Sequence, residues 1–258
     1  QPTSAAVVAG STATLKVVAV GTNLGYQWLK DGNPIGGAIS DTLEFANFQS
    51  GNEGDYSVIV SNAATSVTSN IASLAVKTTP VVTPPTPALV FLAVGQPLNL
   101  ATTVTGAPQP SITWTKNNRL LLGKTAATLN IPAVALTDAG AYRVRAKNTT
   151  TVTSAPAQVS IADTSGGRIV VARTKTAAMT AVVKGTGPFS YQWRKGTTDL
   201  TNGGTISGTQ NGRLVIRSCE LSTAGAYACK VAGPDGVTVL DSGPYDLRVV
   251  SQPVLSTF

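Results

Sequence analysis

Three stretches of the chain carry the same alternation of apolar and polar positions. Leu15, Val17 and Ala19 recur every second residue in the first, Leu100, Thr102 and Val104 in the second, and Met179, Ala181 and Val183 in the third. Successive side chains of a strand point to opposite faces, so each set lines one face of a β-strand. A second apolar set follows in each stretch: Leu43, Phe45 and Phe48, then Leu129, Ile131 and Val134, then Leu214, Ile216 and Cys219. Between the two sets lies a tryptophan in a strand-like run: YQWLKDG around Trp28, ITWTKNN around Trp114 and YQWRKG around Trp193. Eight residues beyond the second set comes a tyrosine, in GDYSV at Tyr56, GAYRV at Tyr142 and GAYAC at Tyr227. The tyrosines recur at steps of 86 and 85 residues, and similarity at a fixed period marks an array of like units. The chain reads as all-β, one core template written three times.

A tryptophan held between two sheets, and a tyrosine that opens a later strand and bonds back to the corner before it, are hallmarks of the immunoglobulin-type sandwich. The expected fold is therefore three tandem immunoglobulin-like β-sandwiches. The expected structural core is Trp28 with Val17, Val58 and Tyr56, then Trp114 with Thr102, Val144 and Tyr142, then Trp193 with Ala181, Cys229 and Tyr227. The W-x-K, L-x-[FI]-x-x-[FVC] and G-[DA]-Y-x-[VC] runs resemble the I-set-like immunoglobulin domains found in tandem in secreted and surface proteins of bacteria. The resemblance covers nearly the whole chain. It implies a secreted or cell-surface location. The chain departs from the antibody pattern at the inter-sheet disulfide, whose two positions read Val17 and Val58, Thr102 and Val144, and Ala181 and Cys229. Loss of that pair is usual in the bacterial members, so it leaves the expected fold intact.

Length fits the division, since a sandwich of about 80–100 residues can bury its own core. The expected boundaries are a first domain over 1–77, a Thr/Pro-rich linker over 78–88, a second domain over 89–162, a third over 163–250, and a tail or the start of a further module over 251–258. The linker, TTPVVTPPTPA, has four prolines in eleven residues and reads as an extended, semi-rigid spacer. The second junction, ADTSGG, is short and flexible by composition, which would bring the last two modules into touch. Cys219 and Cys229 both fall on inward positions of the third copy, but on strands of opposite sheets and offset along them. A bridge needs Cα atoms within about 7 Å, so two buried thiols are expected instead.

Charge narrows the partners. Charged residues make up only 12% of the chain, and the net charge is +7. Residues 1–78 are mildly acidic and the remainder basic. Lys and Arg form no dense run and the aromatics belong to the core, so the stacking platforms that nucleic acid needs are missing and no nucleic-acid partner is expected. The sequence holds no histidine, the commonest general base and metal ligand, and neither a Gly-rich phosphate loop nor a paired-Cys motif. No catalytic residue, cofactor or metal is assigned. Glu53 and Asp55 stand together before Tyr56, but two carboxylates are few for a calcium site of six to eight oxygens. Lys16 lies among inward residues, yet alternation turns it outward. The sequon Asn148-Thr149-Thr150 falls on an expected turn. No run of eighteen apolar residues exists, so no membrane span is expected.

The ends of the chain carry the sharpest hint. The first copy starts at Gln1-Pro2, without the short opening strand that the family usually places there. At the other end Val249, Val250, Ser251, Gln252 and Pro253 overrun the last strand and look like that missing strand. The plainer reading is that SQPVLSTF opens a further module. The sharper one is that the tail of one molecule completes the first domain of the next by adding to an exposed sheet edge, a contact that repeats without closing and builds a filament. The expected function is thus that of a non-enzymatic extracellular or cell-surface structural protein, serving adhesion, spacing or head-to-tail assembly. The alternative is a carbohydrate- or protein-binding region of a larger secreted protein. Its partners would be protein, copies of itself included, or cell-surface polysaccharide, for which Tyr26, Phe189, Tyr191 and Tyr245 are the few candidate contact aromatics.

Overall fold

The structure is a computed structural model that describes residues 1–251. Among the described residues regular structure is β-strand, broken by three single-turn 3₁₀ segments, Ser50–Asn52, Leu136–Asp138 and Leu221–Thr223. One such turn stands just ahead of each tyrosine strand, namely Gly54–Ser61, Gly140–Lys147 and Gly225–Ala232. The chain forms three sandwiches of the immunoglobulin type.

In the first, one sheet runs in the order Ala5–Val7, Ala72–Val76, Gly54–Ser61, Gly25–Lys30, Asn33–Pro34. A second sheet pairs Ala13–Lys16 with Thr42–Phe45, Leu15 lying opposite Leu43. The same order recurs as Leu89–Ala93, Ala157–Ala162, Gly140–Lys147, Ser111–Lys116, Arg119–Leu120, and again as Gly167–Ala172, Val239–Val250, Gly225–Ala232, Ser190–Lys195, Thr198–Asp199. In each sheet the opening strand is parallel to the closing one, with Ala5 opposite Leu74, Val90 opposite Val159 and Ile169 opposite Leu247.

Local sequence explains the hairpins that follow the first two tryptophans. Lys30 pairs with Asn33 and Lys116 with Arg119, which leaves two-residue loops. Asp31 and Gly32 have φ of 51° and 80°, and Asn117 and Asn118 have φ of 50° and 64°. Positive φ at both loop residues gives the twist that suits two right-twisted strands, and Asp, Asn and Gly tolerate it.

By contact density the chain divides into two compact units, and the division does not follow the repeats. One unit holds residues 1–82, 104–112 and 145–153, and the other holds 83–103, 113–144 and the chain from Ser154 onward. Within the first unit Val7, Leu15, Val17, Trp28, Phe48, Tyr56, Val58 and Leu74 form one buried cluster. Within the second unit the third-repeat residues Met179, Trp193, Leu214, Cys219, Tyr227 and Cys229 form another. Phe91, from the second repeat, belongs to that same cluster, its ring 5.7 Å from Phe189.

Two expectations need correction. The Thr/Pro-rich segment is not a free spacer. Thr78 N–H donates to Ala107 O at 2.9 Å, and Val81–Val82 pairs antiparallel with Val104–Thr105. Further along, Thr83 and Thr86 hydrogen-bond to Thr103 and Ala101. The segment has enough Val and Thr to pair, and its prolines fall where no donor is called on. Second, Val249 and Val250 are not a free assembly strand. They end the strand Val239–Val250, opposite Val171 and Ala172, and Val249 is buried. Ser251 follows without regular structure, and Gln252 and Pro253 lie outside the described residues.

Candidate functional site

Each repeat is held by the same three polar contacts around its tryptophan. Trp28, Trp114 and Trp193 are fully buried, and their indole N–H groups donate to Ser40 O, Ala126 O and Asn211 O at 2.8–2.9 Å. Tyr56, Tyr142 and Tyr227 donate their hydroxyls to the carbonyls of Asn52, Asp138 and Thr223, four residues upstream in each case. Lys30, Lys116 and Lys195 donate from Nζ to Gly51 O, Thr137 O and Ser222 O at 2.6–2.7 Å. The lysine two residues after each tryptophan therefore ties its strand to a carbonyl of the 3₁₀ turn, next to the one that the tyrosine holds. That role was not read from the sequence, although the threefold W-x-K spacing signals it.

The remaining core positions lie where the sheets meet. Val17, Val58, Val144, Ala181 and Cys229 are buried, and Thr102 is buried with its hydroxyl on Thr83 O at 2.7 Å. Cys219 and Cys229 are both buried free thiols. Burial pushes the Cys229 thiol up to about 12.

Groups that carry chemistry elsewhere are engaged in structure here. Glu53 Oε1 accepts from Val76 N at 2.6 Å, and Asp55 Oδ1 accepts from Ser73 Oγ. Among the described residues no three of Cys, Asp and Glu converge as a metal site. Lys16 points outward and lies 4.0 Å from Asp41. The four aromatic candidates are likewise committed. Tyr26 packs on the first core, Phe189 lies against Phe91, and Tyr191 packs on the third core. Tyr245 stands 5.5 Å from Trp193 with its hydroxyl on Thr180 O.

The sheet edges differ among repeats. Continuing past the strands Ala13–Lys16, Leu98–Ala101 and Ala177–Thr180, the equivalent edge positions are Val18, Ala19 and Val20 in the first repeat, Thr103, Val104 and Thr105 in the second, and Val182, Val183 and Lys184 in the third. In the second repeat Thr83 N–H donates to Thr103 O at 3.0 Å, with Val82 opposite Val104 and Val81 opposite Thr105. In the third, Asp163 N–H donates to Val182 O at 2.9 Å, with Ala162 opposite Val183 and Ile161 opposite Lys184. Both edges are thus filled by the segment that leaves the preceding repeat. Among the described residues nothing pairs with Val18, Ala19 or Val20, and Val18 and Val20 are 78% and 99% exposed. Beside them lies a cleft of about 230 Å³ walled by Leu24, Val60, Asn62 and Val67. Residues 18–20, which lie beyond the strand Ala13–Lys16 and are unpaired among the described ones, are the candidate site; their backbone groups suit an extended segment.

A fold of three sandwiches with buried tryptophans and tyrosine corners defines tandem immunoglobulin-like domains. Residues 79–148 match the immunoglobulin domain model and residues 163–239 the immunoglobulin I-set domain model. The chain is 28% identical to mouse hemicentin-2 over 253 residues, covering 91% of itself and 5% of that protein. It is 29% identical to rat contactin-4 over 251 residues, covering 85% of itself and 23% of that protein. A three-domain I-band fragment of titin superposes with a TM-score of 0.43 at 18% identity, over 97% of this chain and 96% of the fragment. The chain thus spans only a small part of the curated relatives it matches. Those relatives are mammalian, not bacterial; what stands of the resemblance read from the sequence is the tandem immunoglobulin-like domain itself.

Proposed function

We propose that the chain is a non-enzymatic structural segment of an extracellular or cell-surface protein, which associates with protein partners through its strand edges and joins head to tail with copies of itself. The observation that carries this reading is the way two equivalent edges are filled: residues 103–105 and 182–184 each receive the segment that leaves the repeat before them. A sheet edge is a template for such pairing, so repeats of this kind can lend a neighbour a strand. Strand addition at one end and a donor at the other is a heterologous contact, which propagates into a filament when it does not close. The matches to immunoglobulin runs of hemicentin and contactin support an associative role. The engagement of Tyr26, Phe189, Tyr191 and Tyr245 in packing counts against a polysaccharide platform built on them.

Light scattering across a concentration series, paired with negative-stain electron microscopy, tests the reading. Oligomers that grow with concentration and appear as ordered strings are expected, and removal of residues 251–258 should abolish them while all three domains stay folded. A monodisperse monomer at every concentration would overturn head-to-tail assembly.

A further inference from the structure

Four pairs in the chain place glycine directly after Asp or Asn: Asp31-Gly32, Asn202-Gly203, Asn211-Gly212 and Asp235-Gly236. Glycine has no Cβ, so its backbone nitrogen can approach the side-chain carbonyl carbon of the residue before it. Three of the four side chains are held away from such an approach. Asp31 Oδ1 accepts from Asp55 N at 2.9 Å, and Asn202 Oδ1 accepts from both the N–H and the hydroxyl of Thr209 at 3.1 Å. Asp235 accepts from Val237 N, Thr238 N and the Thr238 hydroxyl. The bonds from Thr238, its hydroxyl first, also hold the Asp235 carboxyl below the usual carboxylate range, in the ionised form that resists attack. Asn211 is the exception. It is exposed, its side chain bonds to nothing among the described residues, and the N–H of Gly212 is equally without a partner there.

The free pair stands at a position that holds the core. In each repeat two successive carbonyls take one bond from the tryptophan and one from the facing strand. Trp28 Nε1 donates to Ser40 O and Val17 N to Asp41 O, both at 2.9 Å. Trp114 Nε1 donates to Ala126 O and Thr102 N to Ala127 O, again at 2.9 Å. In the third repeat Trp193 Nε1 donates to Asn211 O and Ala181 N to Gly212 O, both at 2.8 Å. Trp193 and Ala181 are buried, so both bonds are shielded from water at their donors. Of the three repeats, the third alone entrusts this double contact to an Asn-Gly pair.

We infer that Asn211 is a site of spontaneous deamidation whose isoaspartyl product loosens the clasp on Trp193. The reaction needs base and water and no other reagent. Gly212 N loses its proton to base and attacks Asn211 Cγ; the N–Cγ bond forms, the Cγ–Nδ2 bond breaks, and Nδ2 leaves as ammonia, which gives a five-membered imide. Water then adds to one of the two imide carbonyls. Opening at Cγ gives aspartate on an unaltered main chain. Opening at the α-carbonyl carbon gives isoaspartate, whose main chain runs through Cβ and Cγ and is longer by one methylene. The carbonyl that Trp193 held is then a carboxylate beside the main chain, and the Gly212 carbonyl is displaced relative to it. The bonds from Trp193 and Ala181 cannot both keep their geometry. Neither the reaction nor its effect depends on assembly.

Peptide mass spectrometry on the intact chain, aged in mildly alkaline buffer, tests the site. Asn211 should deamidate at least about tenfold faster than Asn202, because two hydrogen bonds hold the Asn202 carboxamide and none holds that of Asn211. In urea, where those bonds are gone, the two should react at similar rates. Equal rates in the folded chain, or no reaction at Asn211, would overturn the assignment. Gly212→Ala checks the route: its Cβ would come no nearer than 3.5 Å to Tyr191, so the fold accepts it, and the added methyl should slow the reaction. An unchanged rate would rule out attack by the Gly212 nitrogen. Asn211→Asp separates charge from chain length, since it carries the new carboxylate on an unaltered main chain. Amide exchange at Ala181 should be at least about fivefold faster in the aged isoaspartyl chain than in Asn211→Asp, with a lower thermal midpoint. The same exchange and midpoint in both would overturn the loosening of the clasp and leave the deamidation site standing.

Discussion

At the scale of single residues, each sandwich depends on a few buried polar atoms whose partners are backbone carbonyls. Tyr142 is fully buried, and burial first, with the Asp138 carboxylate second, pushes its phenol well above the usual tyrosine range. Its hydroxyl has one recorded partner, Asp138 O at 2.7 Å. Tyr142→Phe keeps the ring and removes that bond, so it should cost about 0.5–1.5 kcal/mol of the second repeat's stability, read as a lower urea midpoint with an unchanged slope. The third repeat carries the pH response. Burial raises Cys229 to about 12 and Tyr227 to about 12. In the unfolded chain these groups titrate near about 8.5 and 10, so the unfolded state loses protons first as pH rises. Their contribution is therefore whole below about pH 8.5 and falls away between there and about pH 12. The urea midpoint of the third repeat should drop on raising the pH through that window, and Cys229→Ala should flatten the drop at its lower end. A drop of the same size in the Cys229→Ala variant would exclude the thiol as its source.

At the scale of elements, the strap over residues 78–86 shows what sequence reading reaches and what it misses. Asn148 grips the strap through Thr78 O, and replacing it removes that bond and two longer ones to Ala107 O and Pro108 O. Asn148→Ala should therefore speed amide exchange at Val81 and Thr83 while leaving Trp114 and its surroundings protected; the expected loss is about 1 kcal/mol of local stability. Equal loss of protection at both places would show that the strap does not open on its own. Alternation located the paired strands because it is a local signal. Leu15 faces Leu43 and Leu100 faces Leu129 through contacts set by a period of two. The strap gave no such signal. Its proline content matches a spacer as well as an edge strand, and the deciding partners, Ala107 and Asn148, lie about thirty and seventy residues away. The tail misled for a related reason. Val249 and Val250 fit a new strand by pattern, and only pairing with Val171 and Ala172 assigns them to the old one. The unpaired residues 18–20 gave no signal either, because a lack of partners is stated by no run of residues.

At the scale of the molecule, repeats of one template differ in what each lends the next. Within the unit that contains the third repeat, that loan is specific. Phe91 lies in the strand Leu89–Ala93 of the second repeat, yet its side chain is counted in the buried core around Trp193 and is only 5% exposed. It reaches Phe189 at 5.7 Å and sits on Gly233, where an added Cβ would meet its ring at 2.4 Å. Position 233 is the counterpart of Asn148, which grips the strap of the second repeat; glycine there leaves room for an aromatic ring. The third repeat has thus exchanged a polar clasp for an apolar one. Truncation of a buried Phe costs about 3–5 kcal/mol where the site cannot collapse, and the ring here is shared by two repeats, so both should feel its loss. Phe91→Ala should lower the thermal midpoint and split one cooperative transition into two, with the thiols of Cys219 and Cys229 becoming reactive in the earlier step. Gly233→Ala should act in the same direction, since the ring must move to make room for the Cβ. A Phe91→Ala chain that melts in a single transition, with both thiols protected up to the same temperature as in the unaltered chain, would show that the two repeats are stable independently and that Phe91 only fills space.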